Sequence, residues 1–413
     1  MSTRKMPARP TRPTRLDNAR VLIYSHDTFG LGHLRRCRAI AHELVGRFKG
    51  ISVLILSGSP VIASFEFRAR VDFVRIPGVI KLKDGSYTSL ALHIDLEQTL
   101  AMREAVIFET AQAFQPDLFL VDKEPLGLGG EVGRTLRMLR ARGARTVLGL
   151  RDILDAPEAL REEWARKGAL PALRDLYDEI WVYGTEAFYH PLRGLDGLDG
   201  VARKTVFTGY LRRPPLEDTA SSRGDFAGLD GLARPYLLVT PGGGKDGVEM
   251  VASALGALKG GASALVVLGP FMDEAPRNEF KRLAETMPNI RVLDSHARIE
   301  KLMENAGGLL TMGGYNTFCE ILSFNKPAIV TPRRAPRAEQ LIRARRAAEW
   351  GLVTMPPEDD EEAGLRELIE KLPSQSPPGE NLPEGMLHGM DAVCARVVAL
   401  MGADARAYEV ARA

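Results

Sequence analysis

Short apolar runs alternate with longer amphipathic stretches along almost the whole chain. ARVLIYS (19–25), ISVLILS (51–57), VDFVRIP (71–77), PDLFLVD (116–122), ARTVLGLRD (144–152), EIWVYG (179–184) and KTVFTG (204–209) each read as a buried strand. Helical periodicity fills most of the gaps between them, for example over 32–48 and 97–114. Such alternation predicts parallel sheets covered by helices on both faces, an α/β fold. The pattern stops at RRPPLEDTASSRGDFAGLDGLARP (212–235), where prolines, glycines and small polar residues carry no period. It resumes with PYLLVT, SALVVLG, NIRVLD, GGLLTM, PAIVT and GLVTM, the last ending at residue 355. The chain therefore divides into a first doubly wound domain over 20–212, a linker over 213–234 and a second such domain over 235–380. A closing segment, 381–413, follows the proline-rich PSQSPPGENLPEG and contains one more helix, 386–401. GLDGLDG (194–200) reads as a loop.

Composition removes several classes. A chain of 413 residues can bury two separate cores. With 45% hydrophobic residues, 26% charged and a net charge of +2, it lacks the basic field that nucleic acid demands. No apolar run reaches about 18 residues, so no membrane-spanning helix is expected. Residues 1–19 form a basic arm rich in proline, without the apolar centre of a secretory signal, and they read as disordered. Such an arm either touches anionic lipid at the inner membrane face or hangs free. Cys37, Cys319 and Cys394 are odd in number and far apart, which fits free thiols in a reducing cytoplasm and offers no metal-ligand spacing.

Open parallel sheets bind ligands beyond the carboxyl ends of their strands, so candidate chemistry is sought at strand exits. After the first strand comes HDTFGLGHLRRCRAIAHEL (26–44), in which Gly30 and Gly32 permit a tight turn and His33 sits at a helix start. A helix N-terminus keeps an imidazole neutral, which suits a general base, although a helix-capping role fits the same position. Asp122, at the exit of PDLFLVD, is placed to orient that imidazole or to cap a helix of its own. In TPGGGKDG (240–247), Gly242, Gly243 and Gly244 free backbone N–H groups to cradle phosphate, with Lys245 as counter-charge. The Walker pattern is missing. Gly313 and Gly314 end the strand GGLLTM, Asn316 and Thr317 open the next helix, and Glu320 lies one turn further on. Glu339 and Gln340 open the helix after the following strand. On the first-domain rim, Gly32, Arg35, Arg36, Lys123, Arg151 and Asp152 can meet an anionic second substrate or can form surface ion pairs.

GGYNTFCEILSFNKPAIVTPRRAPRAEQ (313–340) resembles the donor-binding signature of GT-B glycosyltransferases, and MurG-like members of family 28 in particular. The pattern's small-residue turn, hydroxyl, glutamate, proline and glutamine fall on Gly313, Gly314, Thr317, Glu320, Pro327 and Gln340. The resemblance implies two Rossmann-like domains facing across a cleft. It further implies transfer from a nucleotide sugar, UDP-linked in most relatives, to an acceptor hydroxyl, with inversion and without cofactor or metal. Glu320 would then hold the ribose, the GGYNT helix start and the TPGGGKDG loop the diphosphate, and Glu339 with Gln340 the sugar. His33 would be the base and Asp122 its orienting partner. The acceptor would be lipid-linked or a polysaccharide, met in the cytoplasm or at the membrane face. Two departures stand out. Asn325 replaces the usual glycine, and the segment before Gln340 is longer and carries Arg333, Arg334 and Arg337. GLGHLRRCRAIA also resembles a nucleotide-sugar hydrolase, which keeps hydrolysis and 2-epimerisation open beside transfer, as well as a purely binding role.

Overall fold

The computed structural model describes residues 16–26, 31–82, 87–214, 229, 231–296, 298–357 and 361–402. The basic arm up to residue 15, most of the linker and the tail beyond residue 402 lie outside them, as does Gly30.

The first sheet holds β1 (Ala19–Ser25), β2 (Ile51–Ser57), β3 (Val71–Arg75), β6 (Leu118–Asp122), β7 (Arg145–Arg151), β8 (Glu179–Tyr183) and β9 (Thr205–Phe207). A small antiparallel hairpin, β4 (Val79–Lys81) and β5 (Tyr87–Ser89), interrupts the alternation. All the sheet pairings are parallel, in the order β3-β2-β1-β6-β7-β8-β9. The second sheet holds β10 (Leu237–Thr240), β11 (Ala264–Val267), β12 (Ile290–Leu293), β13 (Gly308–Thr311) and β14 (Ala328–Val330), parallel in the order β12-β11-β10-β13-β14. The inner strands β6, β8, β10, β11 and β13 are buried throughout, which explains their continuous apolar runs, whereas the edge strands β3 and β12 are part-exposed and carry Asp72, Arg75 and Arg291.

Helices of the first domain are α1 (Gly32–Arg47), α2 (Leu96–Phe114), α3 (Gly133–Ala141), α4 (Pro157–Arg166) and α5 (Ala169–Leu176). Those of the second are α6 (Val248–Ala257), α7 (Glu274–Glu285), α8 (Ile299–Asn305), α9 (Tyr315–Ser323), α10 (Glu339–Glu349) and α11 (Glu361–Lys371). The last helix, α12 (Gly389–Met401), returns to the first domain. Its Asp391 pairs with Arg47 of α1 at 2.6 Å, and Arg396 pairs with Glu179 of β8. No described helix is long and apolar enough to cross a membrane.

GLVTM does not add a sixth strand. Thr354 alone bridges β14, through Val330 N–H to its carbonyl at 2.8 Å and its own N–H to Ala328 at 2.9 Å. Pro356 and Pro357 follow immediately and have no N–H with which to extend the ladder.

In each sheet the chain reverses direction next to its first strand: β1 lies between β2 and β6, and β10 between β11 and β13. These reversals open crevices at the strand exits. Between the two domains lies a buried aromatic cluster. Tyr210 stacks on Tyr315 at 6.0 Å, and Phe188 approaches Phe318 and Trp350 at 5.7 and 5.2 Å. This cluster brings the crevices of the two sheets face to face.

Candidate functional site

On the first-domain rim, β1 and β6 are neighbours, so the helix that follows β1 and the last residue of β6 meet. His33 Nδ1 lies 2.5 Å from Asp122 Oδ2. Asp122 is 1% exposed and also takes three bonds from Arg36, at 2.9 Å from Nε and at 2.6 and 2.8 Å from Nη2. Burial alone would raise the Asp122 carboxyl, but Arg36 and then His33 hold it well below the usual carboxylate range. Arg36 Nη2 also lies 3.0 Å from Nδ1, but the carboxylate is nearer and only accepts, which assigns the imidazole proton to Nδ1 and leaves Nε2 as an acceptor. Burial pushes the His33 pKa down to about 4, further than the neighbouring carboxylate lifts it. The imidazole is therefore neutral at pH 7, as a base must be. His26 packs edge-on against it, with ring centres 5.6 Å apart.

Two turns form the opposite rim. Gly313 has φ +68° at the exit of β13, where a Cβ would lie 2.7 Å from Val330, so only glycine fits. Gly314 caps α9, with open space where a Cβ would stand. At the exit of β10, Gly242 has φ +80° and faces open space, whereas Gly244 has φ +94° and packs against the Leu268 carbonyl. The two turns are parallel neighbours, since Thr240 pairs with Thr311. Asn325, in place of the usual glycine, adopts the left-handed conformation at φ +52° just beyond α9, which asparagine tolerates. The arginine-rich insertion folds back on the same rim. Arg333 bonds Asp246 at 2.5 Å, Glu339 at 2.8 Å and, through its N–H, Gln340 Oε1 at 3.0 Å.

Between the rims lies a cavity of about 860 Å³. Of the residues singled out from the sequence, Gly32, His33, Arg35, Arg36, Arg151, Gly242, Gly243, Gly314, Asn316, Thr317 and Gln340 line it. Asp122 stands behind His33, and Gly313 and Gly244 shape the turns from beneath. Glu339 is buried behind Gln340, with Oε2 lacking any partner among the described residues. Lys245 is exposed and lies off the cavity wall. Lys123 pairs with Glu124 at 3.1 Å and is also off the wall.

Three expected contacts are taken up by the protein itself. Arg36, placed on the acceptor rim from sequence, is 1% exposed and bound to Asp122. Asp152, placed there too, is fully buried, gripped by Arg343 at 2.6 and 2.8 Å and by Tyr210 at 2.8 Å. Glu320 has no exposed surface, and Arg35 reaches it from the first domain at 2.6 Å. The same guanidinium donates to Glu300 at 2.5 Å. Asn316 likewise bridges the domains, donating to the Gly32 carbonyl and accepting from Arg213, both at 2.8 Å.

At the outer end of the cavity the sequence pointed to Arg35, and Arg38 and His42 were missed. Arg35, Arg38 and His42 form a polar stripe at helical spacing on α1, opposite Ser295, His296, Arg298 and Ile299 of the second domain. Charged side chains on the inner face of a helix that otherwise buries Leu34, Ile40 and Leu44 were the available signal.

No group of three or more His, Cys, Asp or Glu side chains among the described residues has the geometry of a metal site. No protein-family model and no curated protein matches the chain. Solved structures do resemble it. A Medicago truncatula UGT solved with UDP-glucose is 14% identical, with a TM-score of 0.61 over 93% of this chain and 99% of its own. A Phytolacca americana UGT complexed with UDP-2-fluoro-glucose and pterostilbene is 16% identical, with a TM-score of 0.58 over 92% and 95%. UDP-GlcNAc 2-epimerase from Neisseria meningitidis, bound to UDP-GlcNAc, is 13% identical, with a TM-score of 0.58 over 92% and 99%. At such identities the likeness speaks for the fold, which is GT-B: two Rossmann-like domains facing across a cleft.

Proposed function

We propose that the protein is a glycosyltransferase of MurG-like kind, moving a sugar from a UDP-linked donor to an acceptor hydroxyl with inversion at the anomeric carbon. The observation that carries this reading is His33. Its Nδ1 is fixed by Asp122, its Nε2 is available to accept a proton, and it lines the same cavity as Gly242, Gly243, Gly314 and Thr317. Backbone N–H groups at the two glycine turns and the start of α9 suit a diphosphate. Gln340, on the cavity wall with Glu339 buried behind it, would meet the sugar, and the Arg35–Glu300–Glu320 group would form the polar end for the ribose. His33 takes the acceptor proton as the acceptor oxygen attacks, a role worth roughly 10²–10⁴ in rate. The acceptor belongs to cell-envelope, polysaccharide or glycolipid synthesis on this reading.

The UDP-sugars held by the plant structures support uridine as the base. A screen of UDP-, GDP-, dTDP- and ADP-sugars by thermal shift tests it, with stabilisation by the UDP compounds expected. The Neisseria epimerase with UDP-GlcNAc favours a second reading, 2-epimerisation or hydrolysis on the same donor site. Incubation of UDP-sugars without an acceptor separates the two. Intact donor supports transfer, whereas rapid release of free sugar or appearance of an epimer supports the alternative.

A further inference from the structure

Arg151 is the last residue of β7, beside the exits of β6 and β8. It lines the cavity together with His33, Gly242, Gly314, Thr317 and Gln340. Its Nε is buried and has no hydrogen-bond partner among the described residues, and no carboxylate there lies within ion-pair distance. Arg151 as a whole is part-exposed and lines the cavity, so a bound anion can supply the partner that its Nε lacks.

Two neighbouring carboxylates are taken, Asp122 by Arg36 and Asp152 by Arg343, while Glu339 bonds Arg333 through Oε1 and keeps Oε2 unpaired among the described residues. Arg151 is also held close to the second-domain turn. Asp152, the next residue, binds Arg343, and Arg343 Nη1 donates to the Gly313 carbonyl at 3.2 Å. This chain of contacts ties the exit of β7 to the glycine turn that opens α9. Burial pulls the Arg151 pKa down to about 10, against the attraction of Glu339, and it remains a cation at neutral pH.

We propose that Arg151 binds the terminal phosphate of the nucleoside diphosphate and neutralises it as it leaves. The proposal rests on the glycosyltransferase reading above. In the step, the acceptor oxygen forms its bond to the anomeric carbon while the bond from that carbon to the diphosphate oxygen breaks. The electron pair passes to that oxygen, opposite the Arg151 guanidinium, and the acceptor proton passes to His33 Nε2. A preorganised cation facing developing charge stabilises the transition state more than the ground state.

Calorimetric titration of the full chain with UDP and with UMP tests the assignment, because only UDP carries the terminal phosphate. In Arg151→Met the preference for UDP over UMP should fall by about 10- to 100-fold, with UMP affinity unchanged. Arg151→Lys, which keeps the charge, should retain most of the preference and serves as the control for folding. An unchanged preference in Arg151→Met, or an equal loss of UMP affinity, overturns the proposal while the donor site stands. A wild-type protein that binds neither nucleotide overturns the glycosyltransferase reading itself. Since UDP carries no sugar, a role for Arg151 in recognising an acidic sugar would leave the preference untouched and would also overturn the proposal.

Discussion

The Arg35 guanidinium of α1 donates to Glu320 of α9 at 2.6 Å, across the boundary between the domains, and to Glu300 at 2.5 Å. The carboxylate that signature residues assign to the ribose is thus already occupied from the opposite domain. Glu320 Oε2 is buried with no partner among the described residues, and burial raises its pKa against the pull of Arg35. Under the proposed function, a ribose hydroxyl reaching this group would share it with Arg35 or displace it.

Removing Arg35 leaves a buried carboxylate without its cation. Arg35→Met should destabilise the protein by about 1–3 kcal/mol, measured by urea unfolding at pH 7. Adding Glu320→Gln to that background should restore part of the loss, since the neutral amide needs no counter-charge. Destabilisation that Glu320→Gln leaves unrelieved would mean that the bond to Glu320 is not where Arg35 acts.

A second tie across the domains is more deeply buried. Asp152 and Arg343 have side chains 0% and 1% exposed and share two hydrogen bonds. Asp152→Leu alone should cost about 3–5 kcal/mol because it leaves the guanidinium unpaired in the interior. The double change with Arg343→Met should cost less than the sum of the single changes, read from a double-mutant cycle in guanidinium chloride. Additive losses would show that the two side chains act independently.

These ties explain what the sequence could and could not disclose. Strands such as ARVLIYS and PDLFLVD are legible because a parallel sheet buried on both faces imposes a short apolar run on each one. The glycine turns and His33 are legible because strand exits are where such sheets bind ligands. GLVTM had the composition of a strand, yet the prolines behind it removed the donors that pairing needs. Asp152 lies behind the rim, and Arg36, though on the cavity wall, is bound to Asp122. Nothing local distinguishes an exposed charge from one whose partner lies in another element. The partner of Asp152 is 191 residues away. The sequence of α1 shows a run of arginines, and only the packing separates Arg36, turned inward to Asp122, from Arg35, turned across the cleft.

The state of His33 sets a pH dependence. Its folded pKa of about 4 lies below its usual value of 6.5, so between these values the unfolded chain binds the proton and the folded protein does not. Stability contributed at this position should therefore fall as pH is lowered from 6.5 towards 4, and His33→Gln should flatten that part of the profile. For the same reason the acid limb of kcat/KM should lie near pH 4. An acid limb near 6.5 would show that burial does not hold the imidazole neutral.

The central claim is that the second domain holds a nucleotide sugar while His33 supplies the base from the first. Donor affinity and turnover, measured side by side for the wild-type protein and His33→Ala with the UDP-sugar that stabilises it best, test this most directly. The account predicts a Kd within about twofold of wild type and a turnover lower by roughly 10²–10⁴. Turnover that survives the substitution, or donor binding lost in parallel with it, would contradict the account.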